Sequence, residues 1–340
     1  MLPIGVIGAG VWGKNLIRVF SQLPQVELRY IADLHEPIRK LNQNLYPKTT
    51  VVEDYTIILE DPKVQGIVVA TPTETHFSII QKVLNSGKHC FAEKPLTLSS
   101  QESLQLMQQA QQQQKVLMVG HLLKYHPAVR YIKKILDRKE LGEILYIYSN
   151  RLNLGQVRTT ENCWWSLAPH DLSLILYFLD EKPNAISATG SCFLQRDIED
   201  VVFATLFYGD HKMAHLHVSW LDPHKVRTLT IVGSKKMLMF NDMEPSEKIR
   251  IYDKGATISD DFTPFAWFGG IRSGDIYSPH LSQEEPLKEE CSHFVDCIVK
   301  GIPCLSDAYE GSLVVELLER GQESLRQRGQ LIPLTFPSFQ

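Results

Sequence analysis

The sequence predicts an α/β N-terminal domain with a parallel sheet, followed by an α+β C-terminal domain with a large, mostly antiparallel sheet. Three observations carry this reading. From the start to about Gly120, short apolar runs alternate with helical stretches, the pattern of a parallel sheet covered on both faces. A glycine loop, Gly8-Ala9-Gly10-Val11-Trp12-Gly13, directly follows the apolar run Ile4-Gly5-Val6-Ile7. Beyond residue 140 the segments take on strand composition and are separated by turn residues such as Tyr208-Gly209-Asp210 and Val232-Gly233-Ser234, so neighbouring strands are expected to be antiparallel.

In the first part, strands are expected at 3–8, 26–32, 66–71, 88–92 and 116–120, and helices at about 13–22, 35–44, 75–86 and 99–113. The glutamine-rich stretch Gln105 to Gln114 keeps Leu104, Met107 and Ala110 at helical spacing, so its glutamines form a solvated helix face. In the second part, strands are expected at 143–152, 186–193, 201–208, 213–220, 226–232, 236–240 and 248–252. Helices at 125–137, 168–179, 286–300 and 308–327 are expected to cover one face of that sheet. The other face also needs cover, which points to a homo-oligomer, a dimer or tetramer, formed through the C-terminal sheet. Segment 254–284, with Gly, Ser and Asp clusters among aromatics, reads as a long functional loop. The domain boundary falls at 121/122, giving domains 1–121 and 122–340.

Composition narrows the function classes. The 340 residues are 44% hydrophobic and 22% charged, ordinary for a soluble globular protein, and the net charge of -4 gives no footprint for nucleic acid. There is no basic cluster for a membrane surface and no apolar run of spanning length. The start reads as an internal strand rather than a signal peptide. The six scattered cysteines contain no Cys-x-x-Cys pair and read as reduced thiols of a cytoplasmic protein, most of them packing residues. His211, His215, His217 and His224 match no metal-ligand spacing and read as a polar strand face, so no metal site is expected.

In its strand–loop–helix context the glycine pattern has a physical meaning. Gly8 allows the tight turn, Gly10 lets a pyrophosphate approach the backbone, and Gly13 lets helix and strand pack closely, while the free N–H groups at the helix start face the phosphates. Val11 and Trp12 complete the cofactor-binding loop. The second strand ends at Asp33, about 20 residues on, where an acid grips the adenosine ribose. This is a Rossmann dinucleotide site. Asp33 favours NAD over NADP because a carboxylate repels a 2′-phosphate; Arg39 lies further along the next helix and Leu34 adds no charge.

Three groups stand at predicted strand ends, the edge where open α/β sheets bind ligands. In Ala70-Thr71-Pro72-Thr73-Glu74-Thr75-His76, Thr71, Pro72 and His76 are placed to contact cofactor, or the segment simply caps the next helix. In Ala92-Glu93-Lys94-Pro95, Lys94 is placed to hydrogen-bond a substrate hydroxyl, the alternative being a surface Lys–Glu pair. Gly120-His121-Leu122-Leu123-Lys124-Tyr125-His126-Pro127 is a dense polar and aromatic stretch at the crossing between domains.

The glycine loop, Thr71-Pro72 through His76, Glu93-Lys94-Pro95 and Gly120-His121, in that order, resemble the Gfo/Idh/MocA oxidoreductase family over essentially the whole chain. The resemblance implies NAD or NADP and oxidation or reduction of a sugar or cyclitol hydroxyl. It also implies a catalytic Lys94, a cis Lys94-Pro95 bond, and cofactor contacts from Glu93, Lys94 and His121. The family's second catalytic group is a histidine on a helix of the second domain with an aspartate one turn before it. Here Trp164-Trp165-Ser166-Leu167-Ala168-Pro169-His170-Asp171 occupies that place. His170 matches as general acid/base, but Ser166 stands where the aspartate is usual, and Asp171, adjacent to His170, points about 100° away on a helix.

Asn150-Arg151-Leu152-Asn153-Leu154-Gly155, Trp164-Trp165 and the residues around His121 and His170 further resemble dehydrogenases found with surface-polysaccharide genes. Those are often assigned to the C3 hydroxyl of a UDP-N-acetyl-hexosamine or its uronate. The resemblance makes Lys94, Tyr125, Arg151, Asn153, Trp165, His170 and Asp171 substrate-binding candidates. Arg151 would pair with a carboxylate or pyrophosphate oxygen, or form a strand-end salt bridge; the tryptophans would stack on a sugar or base, or pack in the core. The expected partner is a small sugar or nucleotide sugar. Two other readings stay open: a free sugar or inositol dehydrogenase of the same fold, and a dinucleotide-binding regulator without turnover.

Overall fold

A computed structural model describes residues 1–155, 157–256 and 270–336. In chain order its elements begin with β1 (Leu2–Ile7), α1 (Gly13–Gln22), β2 (Val26–Ala32), α2 (Glu36–Leu45), β3 (Thr50–Val52), α3 (Thr56–Glu60), β4 (Gly66–Val69), α4 (His76–Asn85), β5 (His89–Ala92), α5 (Ser100–Gln112) and β6 (Leu117–Val119). There follow α6 (Pro127–Asp137), β7 (Ile144–Leu152), α7 (Cys163–Leu179), β8 (Ala185–Ser191), β9 (Val201–Tyr208), β10 (Lys212–Ser219), β11 (Val226–Gly233), β12 (Met237–Asn241), β13 (Ile249–Ala256), β14 (Ile271–Tyr277), α8 (Pro286–Lys300), α9 (Ala308–Arg326) and β15 (Ile332–Pro333). Short 3-10 turns at Thr73–Thr75 and Leu122–Tyr125 precede α4 and α6.

The chain forms two compact units: Met1–His126 with Glu284–Glu319, and Pro127–Gln283 with Arg320 onward. In the first, six parallel strands run in the order β3-β2-β1-β4-β5-β6. Helix α1 buries Leu16, Ile17, Val19 and Phe20, a helical spacing that seals one face of the sheet. β3 and α3 escape sequence reading because three and five residues are too few to display a period.

The single expected boundary at 121/122 is replaced by an interleaved arrangement. Helix α8, expected to cover the C-terminal sheet, packs instead on α1 and on the 3-10 turn at Leu122–Tyr125. Its Phe294 meets Phe20 and Phe91 edge-on, with ring centroids 6.3 and 5.8 Å apart. Leu287, Cys291 and Val295 join the same core.

The second unit is a nine-stranded mixed sheet, β14-β13-β12-β11-β7-β10-β9-β8-β15. Every neighbour pair is antiparallel except β7 with β10. Helix α7 packs on β7, β9 and β10. Alternation along the central strands leaves Tyr146, Tyr148, Phe203 and Met213 on one face, each between 38 and 43% exposed. His215 and His217 lie among them, with the Phe203 and His217 rings stacked at 4.1 Å, which is the polar strand face expected of these histidines. The expected long loop at 254–284 is in part a strand pair, β13 continuing to Ala256 and β14 returning from Ile271; residues 257–269 lie outside the described residues.

Because α8 completes the first unit's core, Phe294→Ala should destabilise that unit by about 3–5 kcal/mol. Denaturant unfolding followed by a probe in the first unit measures this; a loss under 1 kcal/mol would mean that α8 is not integral to it.

Candidate functional site

Parallel strands bring every loop that follows β1, β2, β4, β5 and β6 to one edge of the first sheet. Gly8 has φ +92°, and a Cβ there would lie 2.6 Å from the Ala70 carbonyl oxygen; a Cβ on Gly13 would lie 2.0 Å from the Gly8 carbonyl oxygen. A Cβ on Gly10 would meet nothing within 4 Å. The first and third glycines are thus demanded by protein packing, and the second faces open space. Helix α1 starts without a capping side chain and without an acid in its first turn, and Val11 is exposed. An uncapped helix N-terminus beside an open glycine fits a dinucleotide's phosphates.

Asp33 fixes that loop. Its Oδ2 accepts the Ala9 N–H at 2.8 Å and its Oδ1 the His35 N–H at 2.9 Å. Sequence reading set Arg39 aside, yet its guanidinium donates to the carbonyls of Asp33 and Leu34 at 3.0 and 2.7 Å and pairs with Glu53 at 2.7 Å. It therefore stands against the end of β2 beside Asp33. The signal was available: Arg39 sits one helical turn past His35, where its side chain reaches back to the strand end.

His76, expected to contact cofactor, is 1% exposed. Its Nδ1 lies 3.0 Å from the Pro95 carbonyl oxygen and its Nε2 2.9 Å from that of Thr71. Burial holds its pKa down although these carbonyls pull it upward. His76 thus braces two loops from beneath rather than presenting a contact surface. Thr71 accepts from the Thr75 hydroxyl at 2.8 Å, and Pro72 remains exposed at the edge.

The second loop of that brace carries Glu93 and Lys94, and the Lys94–Pro95 peptide is cis. Trp12 of the glycine loop donates Nε1–H to Glu93 Oε1 at 2.5 Å, and the Lys94 N–H reaches Glu93 Oε2 at 3.3 Å. A Cβ on Gly120 would lie 3.1 Å from Glu93 Oε1, so the absence of a side chain there makes room for the carboxylate. Burial pushes the Glu93 carboxyl up to about 7, against the pull of Lys94 and Trp12. His121 is 2% exposed, and neither ring nitrogen has a hydrogen-bond partner among the described residues. Burial and the cations Lys124 and Lys94 bring it down to about 3, so its ring is neutral.

Tyr125, a substrate-binding candidate, is fully buried in the first unit, its hydroxyl 3.1 Å from the Ser306 hydroxyl. It is a core residue.

In the second unit, Arg151 and Asp171 are brought together. Arg151 Nε and Nη2 donate to Asp171 Oδ2 and Oδ1 at 2.5 and 3.2 Å, and both residues are under 10% exposed. This two-point buried ion pair, the salt-bridge alternative for Arg151, joins β7 to α7. Helix α7 begins at Cys163, not 168, because Asn162 caps it by accepting the Trp165 N–H at 3.1 Å. His170 consequently stands inside the helix rather than at its start. Trp164 is fully buried, and a Cβ on Gly321 would lie 2.5 Å from its ring, so it is a core aromatic. Trp165 and Asn153 are half-buried.

Residues 2–121 match the model of the oxidoreductase family with an NAD-binding Rossmann fold, and residues 129–239 match that of the GFO/IDH/MocA C-terminal domain. The UDP-N-acetylglucosamine 3-dehydrogenase of Acidithiobacillus ferrooxidans is 25% identical over 92% of this chain and 93% of its own length. Its solved structure superposes with a TM-score of 0.82, covering 96% of this chain and 98% of that one, at 23% identity. Levoglucosan dehydrogenase, solved with NADH, gives a TM-score of 0.85 at 18% identity over 98% of this chain and 99% of that one. An uncharacterized oxidoreductase of Bacillus subtilis is 26% identical over 62% of this chain and 64% of its own length, so the match spans less than two thirds of that relative.

The raised Glu93 pKa has a consequence for stability. The folded state holds a proton on Glu93 up to about pH 7 that the unfolded chain, with the ordinary value of 4.5, has already lost. Stability from this group is full below pH 4.5 and is lost as pH rises through about 7. Glu93→Gln should flatten that fall in thermal midpoints scanned from pH 4 to 8; an unchanged slope would contradict the assignment.

Proposed function

Because the chain belongs to the Gfo/Idh/MocA family of oxidoreductases, we propose that it is an NAD-dependent dehydrogenase acting on a sugar ring hydroxyl. The observation that carries this reading is the bond from Trp12 to Glu93, which ties the glycine loop to the segment bearing Lys94. Bound NAD supplies the hydride acceptor. The glycine loop and the α1 N-terminus hold its pyrophosphate, and Asp33 faces its ribose. Lys94 hydrogen-bonds the substrate hydroxyl and stabilises negative charge on that oxygen, while His170 takes the hydroxyl proton.

The substrate we infer is a UDP-N-acetyl-hexosamine or its uronate, oxidised at C3. The near full-length similarity to a UDP-N-acetylglucosamine 3-dehydrogenase supports it. A free sugar or cyclitol is the second reading, favoured by the inositol 2-dehydrogenase of Rhizobium meliloti, 21% identical over 96% of this chain. With Arg151 engaged by Asp171, we assign Asn153, Trp165 and His170 as the substrate contacts of the second unit. We further propose that a second copy of the chain covers the Tyr146, Tyr148, Phe203 and Met213 face.

Lys94→Ala and His170→Ala should each lower kcat by about 10²–10⁴-fold with little change in NAD affinity. Steady-state rates on a panel of UDP-sugars, free sugars and cyclitols test this; near-wild-type rates in both variants would remove the assignment. UDP binding by calorimetry separates the two substrate readings. Asp33 should give tighter binding of NAD than of NADP, with Asp33→Ala narrowing the gap; titration of both cofactors decides, and a clear NADP preference refutes it.

A further inference from the structure

We propose that Glu53 helps to select the cofactor: by holding the guanidinium of Arg39 it withholds that cation from the 2′-phosphate of NADP. The pair would be a second determinant of NAD preference beside Asp33. This rests on the reading of the edge as a dinucleotide site and adds to it a residue that the glycine pattern does not reveal.

Three elements meet at this point. β2 and β3 pair in parallel as far as Ala32 and Val52, and the Asp33 N–H donates to the Val52 carbonyl at 3.2 Å. Asp33 and Glu53 therefore leave neighbouring strands at the same edge. Arg39 comes from α2, where its N–H donates to the His35 carbonyl at 3.0 Å. Its Nη1 donates to the carbonyls of Leu34 and Asp33 at 2.7 and 3.0 Å, and its Nη2 lies 2.7 Å from Glu53 Oε2. One nitrogen of the fork is fixed by backbone and the other by a carboxylate.

In a Rossmann site an acid at the end of the second strand suits a free ribose 2′-hydroxyl, whereas a nearby arginine suits a 2′-phosphate. This edge carries both signals. Asp33 is committed to backbone, accepting the Ala9 and His35 N–H groups, so the choice turns on whether Arg39 has donors to offer. With Glu53 on Nη2, a phosphate would have to displace a carboxylate and then sit among two negative charges and one positive. Lys40, the other cation of α2, is paired with Glu36 at 2.6 Å.

Glu53 is separable from the rest of the site. Its side chain is 65% exposed against 19% for Arg39, so removing its charge leaves Arg39 seated on two carbonyls with Nη2 released. Exposed ion pairs contribute at most about 1 kcal/mol, which a phosphate bound by two charge-assisted hydrogen bonds can exceed. Asp33, by contrast, braces the glycine loop through Ala9, and its removal disturbs the site for either cofactor.

Calorimetric titration of the full-length protein with NAD and with NADP tests this. Glu53→Gln should tighten NADP binding about five- to tenfold and leave NAD binding within about twofold. Adding Arg39→Ala to that variant should erase the gain, and high salt should shrink it. Unchanged NADP binding in Glu53→Gln, with NAD bound normally, overturns the proposal and leaves the dinucleotide site standing. A gain that survives in the double variant overturns it as well, because Glu53 would then act by plain repulsion and not through Arg39. Wild-type protein that binds neither cofactor removes the site itself, and this proposal with it.

Discussion

Beneath the edge of the first sheet, one buried imidazole joins two loops that sequence places far apart. His76 faces the Thr71 carbonyl on one side and the Pro95 and Leu96 carbonyls on the other. The backbone that presents Lys94 is therefore referenced to the turn after β4, and through Trp12 and Glu93 to the glycine loop. Loop positions of this kind are precise only when buried polar groups are satisfied, because an unmade hydrogen bond away from water costs about 1–3 kcal/mol.

The same edge concentrates charge in a dry setting. Glu93 lies near Lys94, and the fully buried Glu290 of α8 is pushed well above the usual carboxylate range by burial and by Glu93. A neutral Glu290 avoids a second negative charge in the core, while burial, seconded by Lys124 and Lys94, keeps His121 neutral. Lys124 is itself held by Glu310 and by the Leu305 carbonyl, so the first turn of α9 and the loop before it clasp the turn that follows His121. In the second unit the Arg151–Asp171 pair plays the comparable part, joining the central strand to the helix that bears His170.

Much of this was legible in the chain. The glycine loop could be read because its spacing is local, Gly13 being dictated by the Gly8 carbonyl, although Gly8 itself meets the Ala70 carbonyl of the turn after β4. Strands with clear alternation, such as β10, declared themselves for the same reason. What escaped reading was pairing at a distance. Amphipathic spacing shows that α8 buries a face, but not that Phe294 seeks Phe20 and Phe91. An arginine at a strand end looks equally suited to a pyrophosphate or to Asp171, and nothing near Arg151 reveals which. The start of α7 was missed because its cap is an asparagine ahead of two tryptophans, and Pro169 inside the helix resembles a first-turn proline.

The interleaving of the two units bears on how the chain matures as it is synthesised. A ribosome releases β1 to β6 early, but the apolar surface around Phe20 and Phe91 waits for Leu287, Phe294 and Val295. During that interval the entire nine-stranded sheet, apart from β15, emerges first. Nascent nucleotide-binding segments must keep a sticky flank shielded, by transient contacts or by chaperones, until the last two long helices leave the exit tunnel.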